Sequence, residues 1–212
     1  MTLALECLPF RFATRMKTKD QPYLPGMEPE PSIAPPRRFE RHRLYFAFRP
    51  DETASDAVIK IQAGVRRRTG AGGTAIKREN LHVSLFPLWA GEKLPPDIVE
   101  VASNLVQAIE GTPFEFKFDR LVSFPQRKGH CVMLTATHDP FELYSLQRKF
   151  VRRFEGMVRA GSLTPHMTLL YSNWFVEKQP VEPVRWRTQE FVLVHSLVGE
   201  ARQEILGRWP LR

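Results

Sequence analysis

The sequence predicts a mixed helix-and-strand fold built as two equivalent lobes around a cleft, and three observations predict it. Apolar residues switch along the chain between strand-like alternation and helical spacing. The order strand, proline-opened helix, strand occurs twice. Each copy ends in a strand carrying a histidine and, two residues on, a hydroxyl: Leu81-His82-Val83-Ser84-Leu85 and Pro165-His166-Met167-Thr168-Leu169.

Residues 1–41 form an N-terminal arm and residues 42–212 the folded domain. Pro22, Pro25, Pro29, Pro31, Pro35 and Pro36 exclude regular helix or central strand from the arm. Its basic end, Arg37-Arg38 through Arg41-His42-Arg43, reads as a solvated linker. Leu44 to Phe48 is a short apolar strand. Pro50-Asp51 opens a helix with Ala54, Ala57, Val58, Ile61 and Val65 on its inner face. Arg66-Arg67-Arg68 closes it, where cations complement the helix terminus. Gly70 to Gly73 reads as a loop, because it follows a helix and lacks the full dinucleotide fingerprint. The strand Leu81 to Trp89 follows.

After Pro95-Pro96 a second helix places Ile98, Ala102, Leu105 and Ile109 on one face. Phe114, Phe116 and Phe118 alternate in a strand that continues to Phe124, and Gln126 to Gly129 turns the chain into a strand over His130 to Thr137. Asp139 is the expected N-cap of the next helix, with Pro140 at its first position. Leu143, Leu146, Phe150, Phe154, Met157 and Val158 form that helix's stripe, and Gly161 ends it before the strand of His166. Two last strands run over Glu190 to Val198 and Glu204 to Leu211. From proline to histidine the two copies span 32 and 26 residues, a difference that one loop absorbs. A pseudo-two-fold between the copies sets the two histidine strands face to face.

The 212 residues, 42% of them hydrophobic, suit a globular protein with a substantial core. The net charge of +8 favours anionic partners such as nucleic acid or nucleotides, although a solvated basic surface accounts for it equally. Cys7 and Cys131 are the only cysteines and lack metal-ligand spacing. That argues against a disulfide framework or zinc knuckle and fits reduced thiols in a cytoplasmic protein. No apolar run approaches the roughly 20 residues of a membrane span. The opening Met1 to Leu5 lacks a basic flank and breaks at Pro9 and Arg11, unlike a signal peptide.

Strand alternation puts His82 with Ser84 on one face, and His166 with Thr168. An imidazole titrates near pH 6.5, so one histidine can act as base while a second acts as acid. Each positioned group of this kind contributes about 10²- to 10⁴-fold. The two hydroxyls can donate to oxygens that gain negative charge. On a basic protein this set suits attack at a phosphodiester. A zinc site needs at least three protein ligands, and neither motif has Cys, Asp or Glu at ligand spacing. The patterns G-x-S-x-G and G-x-x-x-x-G-K-[ST] are absent too, so no metal or cofactor is expected.

These residues resemble the two-histidine (2H) phosphoesterase superfamily, and within it the bacterial and archaeal 2′-5′ RNA ligase group, also called RNA 2′,3′-cyclic phosphodiesterases. Its signature of two H-x-[ST]-x motifs is matched by His82-Val83-Ser84-Leu85 and His166-Met167-Thr168-Leu169. The likeness extends to Leu44-Tyr45-Phe46-Ala47-Phe48-Arg49-Pro50 and to Leu206-Gly207-Arg208-Trp209-Pro210-Leu211, and spans roughly residues 42–212. The resemblance implies a bilobal α+β fold: two pseudo-symmetric lobes of mainly antiparallel sheet around a central cleft, with helices outside. It implies metal-independent opening of an RNA 2′,3′-cyclic phosphate to a 2′-phosphate, with reversible 2′-5′ RNA joining in some relatives. His82 and His166 would be catalytic, His166 activating water and His82 protonating the departing 3′ oxygen. Ser84 and Thr168 would bind phosphate. Ser84 stands where many relatives carry threonine and keeps the hydroxyl. The expected partners are RNA ends or nucleotides carrying a cyclic phosphate, met by a monomer in the cytoplasm and away from membranes.

The other histidines read differently. His130 and His138 flank a strand as surface or turn residues. His195 alternates with Leu193 and Leu197, which suits a core or cleft-wall position. Phe46 and Phe124 are candidates to stack on a base, with core packing the simpler fate of each. Two rival functions use the same cleft: a non-catalytic nucleotide- or RNA-binding module, and a phosphodiesterase of small cyclic nucleotides. Binding without turnover marks the first. A rate indifferent to RNA length and salt marks the second.

Overall fold

The computed structural model describes residues 41–69, 73–126, 129–158 and 161–212. The proline-rich arm with Cys7, residues 70–72 of the expected glycine loop and the 127–128 tip of the expected turn lie outside the described residues. In chain order the elements are β1 (His42–Phe48), α1 (Glu52–Thr69), β2 (Gly73–Ala75), a 3₁₀ turn (Arg78–Asn80), β3 (Val83–Gly91), α2 (Ile98–Val106), β4 (Phe114–Pro125), β5 (His130–Thr135), α3 (Phe141–Arg153), β6 (His166–Ser172), β7 (Gln179–Thr188), β8 (Glu190–Leu197) and β9 (Arg202–Pro210).

The strands form one open sheet in the order β7-β4-β5-β6-β3-β1-β8-β9, with β2 added to β6. Every pairing is antiparallel. The order is a palindrome about its centre: β3 answers β6, β1 answers β5, β8 answers β4 and β9 answers β7. Each half is one lobe of the bilobal α+β fold, and the halves meet through a single residue pair, Val83 with Met167. Both of these side chains are fully buried.

The helices cross between halves. Phe150 of α3, the helix of the β5-to-β6 unit, and Phe154 just beyond its end pack on Phe46 of β1 and Phe86 of β3. In return α1, from the β1-to-β3 unit, packs on β6 and β7. Phe46, Phe86, Phe150 and Phe154 are at most 1% exposed, and burying each such side chain stabilises the fold by about 1.5–3 kcal/mol. The core therefore ties the halves together where the sheet scarcely does.

Several boundaries differ from the sequence reading. Asp51 Oδ1 accepts from the Ala54 N–H at 2.8 Å and opens α1 from outside it. Asp139 is not the cap of α3: Pro140 holds that position, and Asp139 accepts the Tyr144 O–H at 2.7 Å instead. The helix stops at Arg153 rather than near Gly161; the turn that follows includes Gly156 at φ 79°, and Met157 is 52% exposed. The strand of the first motif begins at Val83, after the 3₁₀ turn, so His82 sits at its mouth. β2 and β7 were not anticipated. β7 carries Pro180 and Pro183, and it tolerates them as an edge strand paired only with β4. Among the described residues no helix is long and apolar enough to cross a membrane.

Candidate active site

The single pair joining the halves decides where the motifs stand. Continuing the antiparallel register outward from Val83 and Met167 sets His82 opposite Thr168 and Ser84 opposite His166. Val83 and Met167 point into the core, so the two histidines and two hydroxyls project from the other face. All four line one cleft of about 780 Å³. Residues 84 positions apart in sequence thus become a two-by-two quartet.

Each motif is followed by the same irregularity. Phe46 pairs with Phe86 and Ala47 with Ser84, which leaves Leu85 as an extra residue in β3. Val132 pairs with Leu170 and Met133 with Thr168, which leaves Leu169 as the extra residue in β6. A bulge re-aims the neighbouring side chain and frees a carbonyl from the ladder. At Leu169 that carbonyl accepts the Ile76 N–H and the Gln62 side-chain amide, both at 2.8 Å. Gln62 also donates to the Ile76 carbonyl at 2.8 Å, which anchors α1 beneath Thr168.

The histidines are held alike. His82 Nδ1 lies 2.7 Å from the Asn80 carbonyl, and His166 Nδ1 lies 2.8 Å from the Thr164 carbonyl. A carbonyl only accepts, so each Nδ1 carries the hydrogen, which leaves Nε2 to take or give a proton. Asn80 is itself fixed by donating from Nδ2 to the Ala201 carbonyl at 2.8 Å. The surroundings differ, however. Tyr45 sets its ring 5.1 Å from the His82 ring, and Arg49, which donates to the Glu79 carbonyl, stands nearby. Burial, reinforced by the charges of Arg49 and His166 and opposed by the Asn80 carbonyl, pushes the His82 imidazole down to about 4. In the free protein His82 is therefore neutral near pH 7. Burial raises the Tyr45 phenol above the usual tyrosine range, so its hydroxyl stays protonated.

Across the quartet, Thr168 Oγ1 lies 3.6 Å from Cys131 Sγ, whose thiol is raised by burial. Arg43, Tyr171, Ser196 and Gln203 complete much of the polar lining, and no carboxylate is among the described lining residues. A cleft of donors and imidazoles on a basic chain is built to receive an anion.

The remaining sequence-predicted residues fall outside this chemistry. His130 is not at the surface: it is 3% exposed, packs on Phe175, and neither ring nitrogen has a hydrogen-bond partner among the described residues. His138 is exposed. His195 pairs with Leu44, on the helix-facing side of the sheet; its Nε2 is 2.9 Å from His42 Nδ1 and its Nδ1 3.8 Å from Glu204 Oε2. Phe46 is in the core, and Phe124 packs with Val122, Cys131 and Met133. The contributors that sequence reasoning missed are Tyr45, Asn80, Gln62 and Cys131. For Tyr45 a signal existed: Leu44, Phe46 and Phe48 point inward, so Tyr45 faces the other way.

A family model described as the 2′-5′ RNA ligase superfamily matches residues 50–200. Among solved structures, E. coli LigT complexed with NADP+ is similar at 22% identity, covering 80% of this chain and 98% of that one with a TM-score of 0.65. The complex of E. coli LigT with 3′-AMP is 21% identical over the same shares, with a TM-score of 0.61. TT0787 of Thermus thermophilus is 20% identical over 80% and 98%, with a TM-score of 0.63. No curated protein sequence matches the chain significantly.

Proposed function

Because the chain belongs to the 2′-5′ RNA ligase superfamily, we propose that it is a phosphoesterase that opens 2′,3′-cyclic phosphates at RNA ends to 2′-phosphates, acting as a cytoplasmic monomer. The observation that carries this reading is the quartet: two imidazoles with Nδ1 pinned and Nε2 available, each beside two hydroxyls. The nucleotides bound by E. coli LigT, among them 3′-AMP and NADP+, support a nucleotide end as the ligand.

In the proposed reaction His166 Nε2 takes a proton from water as the water oxygen attacks phosphorus. The bond from phosphorus to the 3′ oxygen breaks, and His82 Nε2 gives that oxygen its proton. Ser84 and Thr168 donate to the non-bridging oxygens. The products are a 2′-phosphate and a free 3′-hydroxyl, and proton exchange with solvent resets both histidines. His82 is neutral in the free protein, so its acid role requires the anionic phosphate to raise its proton affinity on binding. A 5′-hydroxyl in place of water gives 2′-5′ joining by the same steps.

The test is an end-product assay on RNA carrying a 2′,3′-cyclic phosphate, with EDTA present. The expected product is the 2′-phosphate, with His82→Ala and His166→Ala each slowed about 10²- to 10⁴-fold. Robust turnover by both variants rejects the mechanism, and binding without turnover by the wild type makes the cleft a recognition module. A rate unaffected by RNA length or salt moves the substrate to small cyclic nucleotides.

A further inference from the structure

The palindromic order assigns each of its eight strands a counterpart, so residues flanking the two motifs can be compared place by place. Ala47 of β1 lies opposite Ser84, and Met133 of β5 lies opposite Thr168. Two residues earlier on these strands stand Tyr45 and Cys131, which therefore occupy equivalent positions in the two halves. The position beside the first motif holds an aromatic ring; the position beside the second holds a small thiol. The Tyr45 ring packs 5.1 Å from His82 at an angle of 35°. Cys131 turns its sulfur to Thr168 Oγ1, and no aromatic ring packs on His166 among the described residues.

The backbone frame of the two histidines is matched. Each precedes a junction residue, each donates Nδ1–H to the carbonyl two residues back, and each has its hydroxyl two residues on. The groups facing His82 are the Asn80 carbonyl from the 3₁₀ turn, Arg49 at the end of β1, His166 from β6 and the Tyr45 phenol from β1. Tyr45 in turn is faced by Arg43, Arg49 and Tyr171. The contact with His82 is made by the ring, which makes the flat ring the part that can shield the imidazole.

We propose that Tyr45 is the positioning residue that makes the two histidines inequivalent: its ring shields His82 from water, while Cys131 at the equivalent position leaves His166 without such a cover. Shielding penalises the imidazolium, and the burial that holds His82 neutral has this ring as one wall. Pushing apart the proton affinities of two like groups is how one site divides acid from base. The inference rests on the phosphoesterase reading only for its catalytic consequence.

The test is a histidine titration by NMR on the free, full-length protein, with signals assigned by His82→Asn and His166→Asn. Three variants are compared: Tyr45→Phe, which keeps the ring, Tyr45→Leu, and Tyr45→Cys, which copies the other half. Tyr45→Phe leaves the His82 midpoint in place. Tyr45→Leu and Tyr45→Cys raise it by about one pH unit or more toward 6.5 and leave His166 unmoved. If Tyr45→Cys does not fold, Tyr45→Leu decides. An unmoved His82 midpoint in the folded non-aromatic variants, or equal shifts at both histidines, overturns the proposal. The titration needs no substrate, so a wild type without turnover counts against the phosphoesterase reading and leaves the Tyr45 result standing.

Discussion

Acidification from pH 7.5 to 5 costs this protein stability through His82, and the amount follows from its surroundings. In the unfolded chain His82 titrates near 6.5. In the folded protein burial holds it neutral down to about 4. The sign is set by which state binds the proton: below 6.5 the unfolded chain takes it and the folded state refuses, so stability falls with pH. The slope for one such group is about 1.4 kcal/mol per pH unit, which gives about 2 kcal/mol lost by pH 5 and about 3 by pH 4. Against a typical total of about 5–15 kcal/mol this is a large fraction. His130 adds a loss of the same sign, because burial also lowers its proton affinity and neither nitrogen has a partner among the described residues. Urea unfolding at pH 7.5 and pH 5 measures the difference for the wild type, His82→Asn and His130→Phe. The pH range stays above most carboxylate titrations, and the other histidines are shared by all three proteins. His82→Asn should reduce the acid-induced loss by about 2 kcal/mol. A His82→Asn variant that loses as much stability as the wild type refutes the claim that the folded cleft keeps His82 neutral.

Three further substitutions probe the quartet and its support. Ser84→Ala and Thr168→Val each remove one proposed donor to the phosphate, and each should lower kcat by about 10- to 10²-fold with little change in KM; steady-state kinetics in which only KM moves would assign the hydroxyls to ground-state binding. Gln62→Leu leaves the Leu169 and Ile76 carbonyls each short of a donor, and chemical denaturation should register a loss of about 1–3 kcal/mol. Unchanged stability in that variant would mean the bulge is held by the Ile76 N–H alone.

The pairing of the motifs was legible because it rested on two periodicities at once. Alternation in Leu44 to Phe48 and helical spacing after Pro50 are strong signals, and their recurrence before His166 carried the pseudo-two-fold. What stayed hidden depends on contacts that local pattern does not encode. β7 holds Val181, Val184 and Trp186 in a strand-like pattern, but Pro180 and Pro183 argue against a central strand; only its place at the sheet edge reconciles the two. His130 stands beside a glycine at a turn and reads as exposed, yet Phe175, 45 residues on, closes over it. The bulges at Leu85 and Leu169 have no signature in composition, because either leucine would fit a regular strand equally well. The motifs themselves do not divide the roles between the histidines, because they are alike; only the resemblance assigned water to His166 and the departing oxygen to His82.

The difference between residues 45 and 131 matters because a near-symmetric scaffold is asked to support an unsymmetrical reaction. In the proposed displacement one imidazole meets water and the other meets a departing alkoxide, so they need opposite protonation states at the same moment. A perfect two-fold would give both the same proton affinity, and half of the encounters would find the proton on the wrong side. The motifs cannot break this tie, since each contributes histidine, hydroxyl, carbonyl anchor and bulge in the same arrangement. The asymmetry has to come from the strands behind them. Tyr45 opposite Cys131 supplies it in shielding, and Arg49 at the end of β1 supplies it in charge. Both act on His82, and both disfavour its cation until an anion arrives. The substrate's own phosphate then supplies the charge that Arg49 and burial withhold, which ties protonation of His82 to occupancy of the cleft. On this argument the pH dependence of kcat should lie above that of kcat/KM on the limb assigned to His82, because the first reports the loaded cleft and the second the free protein.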